Sequence, residues 1–545
     1  MLSVISVAKN NHLSGSTRLF IFCLVLLTIG FRIVHLDADP PSSFDWSGGY
    51  FADEGFWAHN ARNEILFGNP VSDEWDARVV SPIFATIQKW IFQAFGIGLI
   101  QVRIVGIVSS IFIVVCSFFL FRLQFDPPAS FLLSLLVSLN YPMLVLGRQG
   151  ILDPFAAALA LGALLLVLTE RSTLAFIAGL LFLGACITKY LMIYAFVPLL
   201  FALSLAKQRG IWMTFIAGFI AAATLWLVRI YIPNTELFGS YSAYYSSQQS
   251  WELPGIAKNI VLQPFYLYFI KTPAILFFGN LSLWYFLAKP KGAGKIEKIC
   301  WLWLFSGIVF FAVWRYRPLR YYTSLIPPLA ALAGVAVLRL KEIEQAFRTG
   351  SFRWLLWLGI FVPVVQVLFV LADRWMGWGF IPEQVGIQTV EVILFLLLTM
   401  LFLSGRLRWM VPAFIVVFLI SDIRNYVSWM ARPEYAAVEI SEDLQQRVGA
   451  GVITGQWAPE LCLQNKIRVV PVWQGFVNAT EPFEKYGITH ILQWQYPLGG
   501  EKFGEWYPEE FRRFEPIAHY RIKDSDLVLY EMRDEGRKTR DERLR

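Results

Sequence analysis

The chain has 545 residues, of which 56% are hydrophobic and 16% charged, with a mean hydropathy of +0.53. Soluble domains carry about a quarter charged residues, so a purely soluble globular protein is excluded, and the 16% aromatic share fits rings at lipid interfaces. The net charge of +7 lies mainly in short loops between apolar runs, which marks membrane topology and argues against a nucleic-acid-binding patch.

Residues 1–18 are polar and mildly basic. The apolar run at 19–36 is near spanning length, and no small-residue cleavage site follows it, so it reads as a retained first helix. A span takes about 20 apolar residues. On that measure about 13 helices are expected, near 19–36, 100–121, 129–146, 153–169, 174–188, 190–206, 211–231, 265–288, 299–314, 320–338, 354–372, 387–404 and 408–428. The two that meet at Lys189 have one broken helix as their alternative reading. With the N-terminus inside, the inner loops carry Arg122, Arg171, Lys207 and Arg209, the four lysines of 289–298, the basic stretch 341–353, and Arg406 with Arg408. That agrees with the positive-inside rule. The outer segments are then 37–99, 147–152, 232–264, 315–319 and 373–386, and everything after about 430 lies outside. Segment 81–95 is amphipathic, with Gln88, Lys89 and Gln93, and is read as an interfacial helix on the outer leaflet. Counting it as a span would invert every later loop.

From Pro433 the composition changes. Short β-like runs at 452–454, 467–470, 490–492 and 527–530 alternate with helical patterns near 436–448, 481–486 and 508–514, which suggests a small α/β domain. The expected fold class is therefore a polytopic α-helical membrane protein of about 13 transmembrane helices with a small C-terminal α/β extracytoplasmic domain. Its parts are a transmembrane region at 1–430, whose outer loop 37–99 carries interfacial helices, the α/β domain at 431–533, and a charged, disordered tail at 534–545. No repeat relates the two halves of the membrane region. Cys23, Cys116, Cys186 and Cys300 fall in or beside apolar runs and only Cys462 lies in the polar part, with no CxxC pair. A disulfide framework and a zinc site are both disfavoured.

Charged residues near the bilayer need partners or a function. Asp53 and Glu54 form an adjacent acid pair opening a short helix after the first span. One could act as a general base or hold a divalent cation; the plainer reading is a helix N-terminus favoured by acids. The same outer loop contains Asp73, Glu74 and Asp76. Arg148 and Asp153 lie between two spans, either as a mutual ion pair or as a basic arm and a second acid facing one cavity. Lys189 breaks a long apolar stretch, either snorkelling to the interface or facing a lipid phosphate. Arg315, Arg317, Arg320, Tyr321 and Tyr322 make the strongest outer basic cluster and oppose the positive-inside rule. A phosphorylated lipid headgroup explains that cluster, because guanidinium forks match phosphate oxygens; pairing with acids of the first loop also would. His59 is off the helical face of Asp53 and reads as structural. Asn478-Ala479-Thr480 matches the glycosylation sequon, a triplet common by chance.

In order along the chain these pieces resemble a known family. They are Asp53-Glu54 with Ala61-Arg62-Asn63-Glu64, Ser81-Pro82-Ile83 before the run from Ile91 to Gly96, Val102-Arg103, Gly147-Arg148, Leu152-Asp153, Thr188-Lys189, Arg320-Tyr321-Tyr322 with Pro327-Pro328, Trp457-Ala458-Pro459-Glu460, and Tyr486-Gly487-Ile488-Thr489-His490-Ile491. The chain resembles GT-C class glycosyltransferases that use polyprenyl-phosphate sugars, and is similar to the aminoarabinose transferases acting on lipid A and to the protein O-mannosyltransferases. Each motif is short; their order carries the specificity.

The resemblance implies Asp53 as the first-loop catalytic acid with Glu54 beside it, and Asp153 as the second-loop acid. Arg148, Lys189 and Arg320 would hold the donor phosphate; the outer basic cluster adds Arg315, Arg317 and Tyr321 as candidates for the same phosphate. Many relatives carry a lysine or histidine before the proline matching Pro82. Here that residue is Ser81, and Arg78 is the candidate replacement. The implied reaction is an inverting displacement at the anomeric carbon on the extracytoplasmic face. Its partners would be a polyprenyl-phosphate sugar donor, a lipid, glycan or protein acceptor, and membrane lipids, with no nucleic acid. No cofactor is assigned; a divalent cation stays open. The expected location is a bacterial inner membrane. The rival readings are a transporter or flippase of a lipid-linked sugar, a sugar-polymer ligase, and a membrane scaffold.

Overall fold

In hydrocarbon a backbone must satisfy its own hydrogen bonds, so apolar runs fold as helices. In the computed structural model five described helical stretches are long and apolar enough to cross a membrane: Gly15–Ile33, Leu99–Phe121, Arg209–Ser247, Leu319–Leu338 and Leu407–Met430. Seven shorter apolar helices accompany them among the described residues. The chain is an integral membrane protein. The structure describes residues 14–41, 44–45, 49–69, 76–206, 208–249, 251–263, 271–289, 292–314, 318–349, 353–377, 389–495, 501–523 and 525–533. Asp73, Glu74, Arg315, Arg317 and the tail 534–545 lie outside the described residues.

The elements that position the site are few. Helix α1 (Gly15–Ile33) is followed by α2 (Gly49–Phe67), α3 (Pro82–Phe95), α4 (Leu99–Phe121), α5 (Leu152–Val167), α6 (Ser172–Thr188) and α7 (Thr235–Ser247). Helix α3 has 14 residues, about 21 Å at 1.5 Å per residue, short of the roughly 30 Å hydrocarbon core. It buries Phe84, Ala85, Gln88 and Phe92 and leaves Trp90 exposed on its other side and Phe95 exposed at its C-terminal end. Helix α6 stops at Lys189, whose backbone is extended, and the chain resumes as a 3₁₀ segment Tyr190–Ala195 before helix Phe196–Ser204. The backbone is thus interrupted between these two apolar runs. A second 3₁₀ segment, Leu319–Leu325, precedes helix Ile326–Leu338 in the same way.

The C-terminal part begins with α8 (Ala436–Val448) and includes α9 (Ala458–Leu461). Five strands, β1 (Val452–Thr454), β2 (Arg468–Val469), β3 (His490–Gln495), β4 (Phe514–Ile522) and β5 (Ser525–Met532), form one sheet in the order β2-β1-β3-β5-β4. β1 pairs parallel with β2 and β3, while β5 runs antiparallel to β3 and β4. Strand β4 was not legible as a strand: Pro516 removes a ladder donor, and it sits at a register shift on an edge strand, where proline is tolerated. The segment expected to be helical to 514 is helical only over Pro508–Phe511.

The apolar core runs without a break from Leu24 and Val114 in the membrane helices to Ile453, Trp457 and Leu529 of the sheet. A second cluster with Phe483, Ile491 and Phe503 fills part of the C-terminal module. The sequon residue Asn478 is buried, donating to the Pro471 carbonyl at 2.8 Å and accepting from the Tyr486 hydroxyl at 3.2 Å. It is a structural residue.

Candidate active site

Helix α2 turns about 100° per residue, so Asp53, Glu54 and Gly55 face three different neighbours. Asp53 Oδ2 lies 2.7 Å from Arg320 Nε. Glu54 is fully buried, accepting from Arg103 Nη2 at 2.7 Å and from its Nε at 3.0 and 3.1 Å. It also accepts the Gly150 N–H at 2.7 Å. The Gly55 N–H donates to Glu460 Oε2 at 2.5 Å. The adjacent acids thus serve different parts of the molecule.

Asp153, in the first turn of α5, is paired with Lys189. Lys189 Nζ lies 4.2 Å from the Tyr321 ring centre, and the Arg320 guanidinium carbon 5.6 Å from the same ring. Tyr321 therefore stands between two cations, each holding an acid. Four segments distant in sequence bring Asp53, Asp153, Lys189, Arg320 and Tyr321 together. Burial pushes the Asp53 carboxyl up from its ordinary range, with Arg320 and Lys189 pulling the other way. Two acids and two cations sum to no net charge, so an arriving anion competes with Asp53 and Asp153 for Arg320 and Lys189. Lys189 directly precedes one 3₁₀ segment and Arg320 lies in the other, and Tyr194 of the first hydrogen-bonds Ser324 of the second. Asp45 of the first outer segment accepts the Leu319 N–H at 3.0 Å and fixes the second segment at its start.

Other expected residues lie elsewhere. Arg148 is buried and donates to the His35 carbonyl, with Met430 Sδ at 3.4 Å and the Trp429 ring centre at 5.0 Å. It braces the end of the first span. Neither its expected ion pair with Asp153 nor a place in the Tyr321 cluster is seen, because Asp153 is taken by Lys189. Arg78 is bound by Asp76 at 2.5 Å and by Glu64 at 3.2 Å. With Lys89, Trp90 and Gln93 it lines a pocket of about 340 Å³. Glu64 is eleven residues beyond Asp53 on α2, about 16 Å along the axis at 1.5 Å per residue. Arg78 therefore belongs to a separate patch. Ser81 is fully buried at the start of α3. His59 is buried, with Nδ1 donating to the Phe56 carbonyl at 2.7 Å, and burial lowers its pKa to about 4, so the ring is neutral. No group of three or more His, Cys, Asp or Glu that could hold a metal ion occurs among the described residues.

Sequence reasoning passed over Arg103, Asp45 and Glu460 as partners of the site. Arg103 carried a signal, a charge in the first turn of an apolar span. Glu460 stood in the Trp457-Ala458-Pro459-Glu460 motif, but nothing in the sequence tied it to Gly55.

No family model and no curated protein matches the chain. Among solved structures, ArnT from Cupriavidus metallidurans in the apo state is similar at a TM-score of 0.56, with 15% sequence identity, over 95% of this chain and 98% of that one. ArnT from the same organism bound to undecaprenyl phosphate is similar at 0.55, with 14% identity and the same coverage. In fold, over nearly its whole length, the chain is similar to ArnT, in keeping with the resemblance its ordered motifs carry.

Proposed function

We propose that the protein is an integral membrane glycosyltransferase that moves a sugar from a polyprenyl-phosphate donor to an acceptor on the extracytoplasmic face of a bacterial inner membrane. The observation that carries this is the convergence of Asp53, Arg320, Tyr321, Lys189 and Asp153. It supplies paired cations for a phosphate and a half-buried carboxylate beside them. The topology we assign has thirteen spans, with the α/β module outside. That ArnT, similar in fold, is seen bound to undecaprenyl phosphate supports the class of donor.

The reaction follows from the exchange of partners. The donor's phosphate takes up Arg320 and Lys189, whose charges stabilise the leaving group. Arg320 then no longer holds Asp53. The freed carboxylate, already biased toward protonation by burial, accepts the acceptor's proton as its oxygen or nitrogen attacks the anomeric carbon. The bond from that carbon to the phosphate oxygen breaks, polyprenyl phosphate leaves, and the configuration inverts. Asp153 keeps Lys189 oriented. We place Glu54 and Arg148 in the support of this site and assign no role in it to Arg78. Arg315 and Arg317, adjacent in sequence to Arg320, remain further candidates for the phosphate.

The test is release of polyprenyl phosphate from radiolabelled polyprenyl-phosphate sugars by the purified protein and by Asp53→Asn. The wild type is expected to turn over, and D53N to lose about a hundredfold or more, the scale of a general base. Absence of turnover with a panel of donors, with labelled lipid instead crossing the bilayer of proteoliposomes, would overturn this reading in favour of a flippase. Turnover unchanged in D53N would remove Asp53 as the base.

A further inference from the structure

Glu460 belongs to the C-terminal module, far in sequence from the charged cluster, yet it touches the residue two positions after Asp53. It lies in α9, is buried, and accepts the Gly55 N–H at 2.5 Å. A carboxylate oxygen can reach the backbone of a helix there because residue 55 has no side chain. A Cβ on Gly55 would collide with the Glu460 and Pro459 backbone. The two helices therefore meet backbone to backbone, a contact only glycine allows.

Around this contact α2 is fixed on every side. Arg62 donates to the carbonyls of Asn465 at 2.7 Å and Ile467 at 2.9 Å, and Asn63 to that of Val469 at 2.8 Å. Glu54 holds Arg103, which itself donates to the Leu36 and Ala38 carbonyls at 2.5 and 2.8 Å. Asp53 and Gly55 differ by about 200° around the axis. Glu460 therefore bears on the face opposite Asp53, where a small rotation of α2 becomes a displacement of the carboxylate from Arg320.

We propose that Glu460 is a positioning residue for Asp53: through Gly55 the C-terminal module sets the rotation of α2, and so the approach of the first-loop acid to Arg320. This rests on the transferase reading for its consequence and not for its geometry. Groups facing Glu460 are Glu54 on α2, Arg103 on α4 and Asp39 before α2. Burial, with Glu54 beside it, holds the Glu460 carboxyl well above the usual range. Glutamine at 460 keeps an acceptor oxygen of the same reach for the Gly55 N–H; alanine removes it.

The experiment compares Glu460→Ala, Glu460→Gln and Gly55→Ala with the wild type in detergent. Amide hydrogen exchange over peptides covering residues 51–62 reads the contact without any assay of activity. Faster exchange at Gly55 in E460A, near wild-type exchange in E460Q, is expected. Turnover is the second reading: E460A lowers kcat about tenfold or more with donor KM little changed, the effect of a slightly misplaced catalytic group. E460Q recovers it. Unchanged exchange in E460A overturns the contact whatever the activity. Changed exchange with unchanged kcat in an active enzyme overturns the positioning role. A wild type without turnover, with exchange altered as expected, counts against the transferase reading and leaves the contact standing.

Discussion

At the scale of single residues, Asp53 and Glu54 look alike in the sequence and are unlike in the fold. Asp53 is partly open to solvent and bound to a cation at the charged cluster, whereas Glu54 is sealed against Arg103 and the Gly150 N–H. Breaking a buried pair by removing one partner costs about 3–5 kcal/mol. Arg103→Met is therefore expected to lower the melting temperature of the detergent-solubilised protein sharply, while D53N leaves it close to wild type and removes turnover. Equal loss of stability in both variants would show that the two acids share one structural role. The adjacent acids drew attention in the sequence because membrane proteins seldom carry such pairs without reason. What sequence alone left open was which of them faces the cations, since that depends on the rotation of α2.

Among elements, the two 3₁₀ segments do the most to shape the site. Each leads into an apolar helix, one directly after Lys189 and the other carrying Arg320, and both cations stand at the Tyr321 ring. Irregular backbone at membrane depth is tolerated where it is buried in protein or lines a cavity. Pro198 and Pro327-Pro328 follow these segments and begin the next helices, where proline's missing donor does no harm. The hydroxyls of Tyr194 and Ser324 join the segments. Tyr194→Phe is expected to cost about 1 kcal/mol of stability, the worth of one hydrogen bond, and to raise the donor KM. A fall in melting temperature with no change in KM would mean that this link does not set the spacing of the cations. The proline signals and the lone Lys189 were readable in the sequence. The pairing of two segments some 130 positions apart was not, because nothing local specifies it.

For the molecule as a whole, one continuous core joins the helices to the sheet, and the polar ties between them converge on α2 and on Asp39, which accepts the Ala436 and Ala437 N–H groups at the start of α8. Stability should therefore behave as a property of the joined assembly. His59 lies within it, with its pKa lowered from 6.5 to about 4 by burial. A depressed pKa means that the folded state holds the neutral ring while the unfolded chain takes up a proton. The stabilisation is complete above pH 6.5 and is lost as pH falls from 6.5 toward 4. This adds a slope of up to about 1.4 kcal/mol per pH unit in that window. Melting measured across it should decline less steeply in His59→Asn than in the wild type; parallel curves would exclude His59 as the titrating group.

Hydropathy by itself determined that the chain is a membrane protein built of many helices. The order of short motifs pointed to the fold it shares with ArnT, and composition placed the mixed α/β elements after Pro433. These are properties of local runs, and lipid and water sort such runs by their polarity alone. Only the tertiary structure decided that Lys189 holds Asp153 while Arg148 turns away, that Arg78 belongs to a patch about three turns of α2 from Asp53, and that Glu460 reaches Gly55. Those contacts join residues tens to hundreds of positions apart. They depend on helix rotation and on which buried charge finds which partner, and a linear pattern of residue types encodes neither.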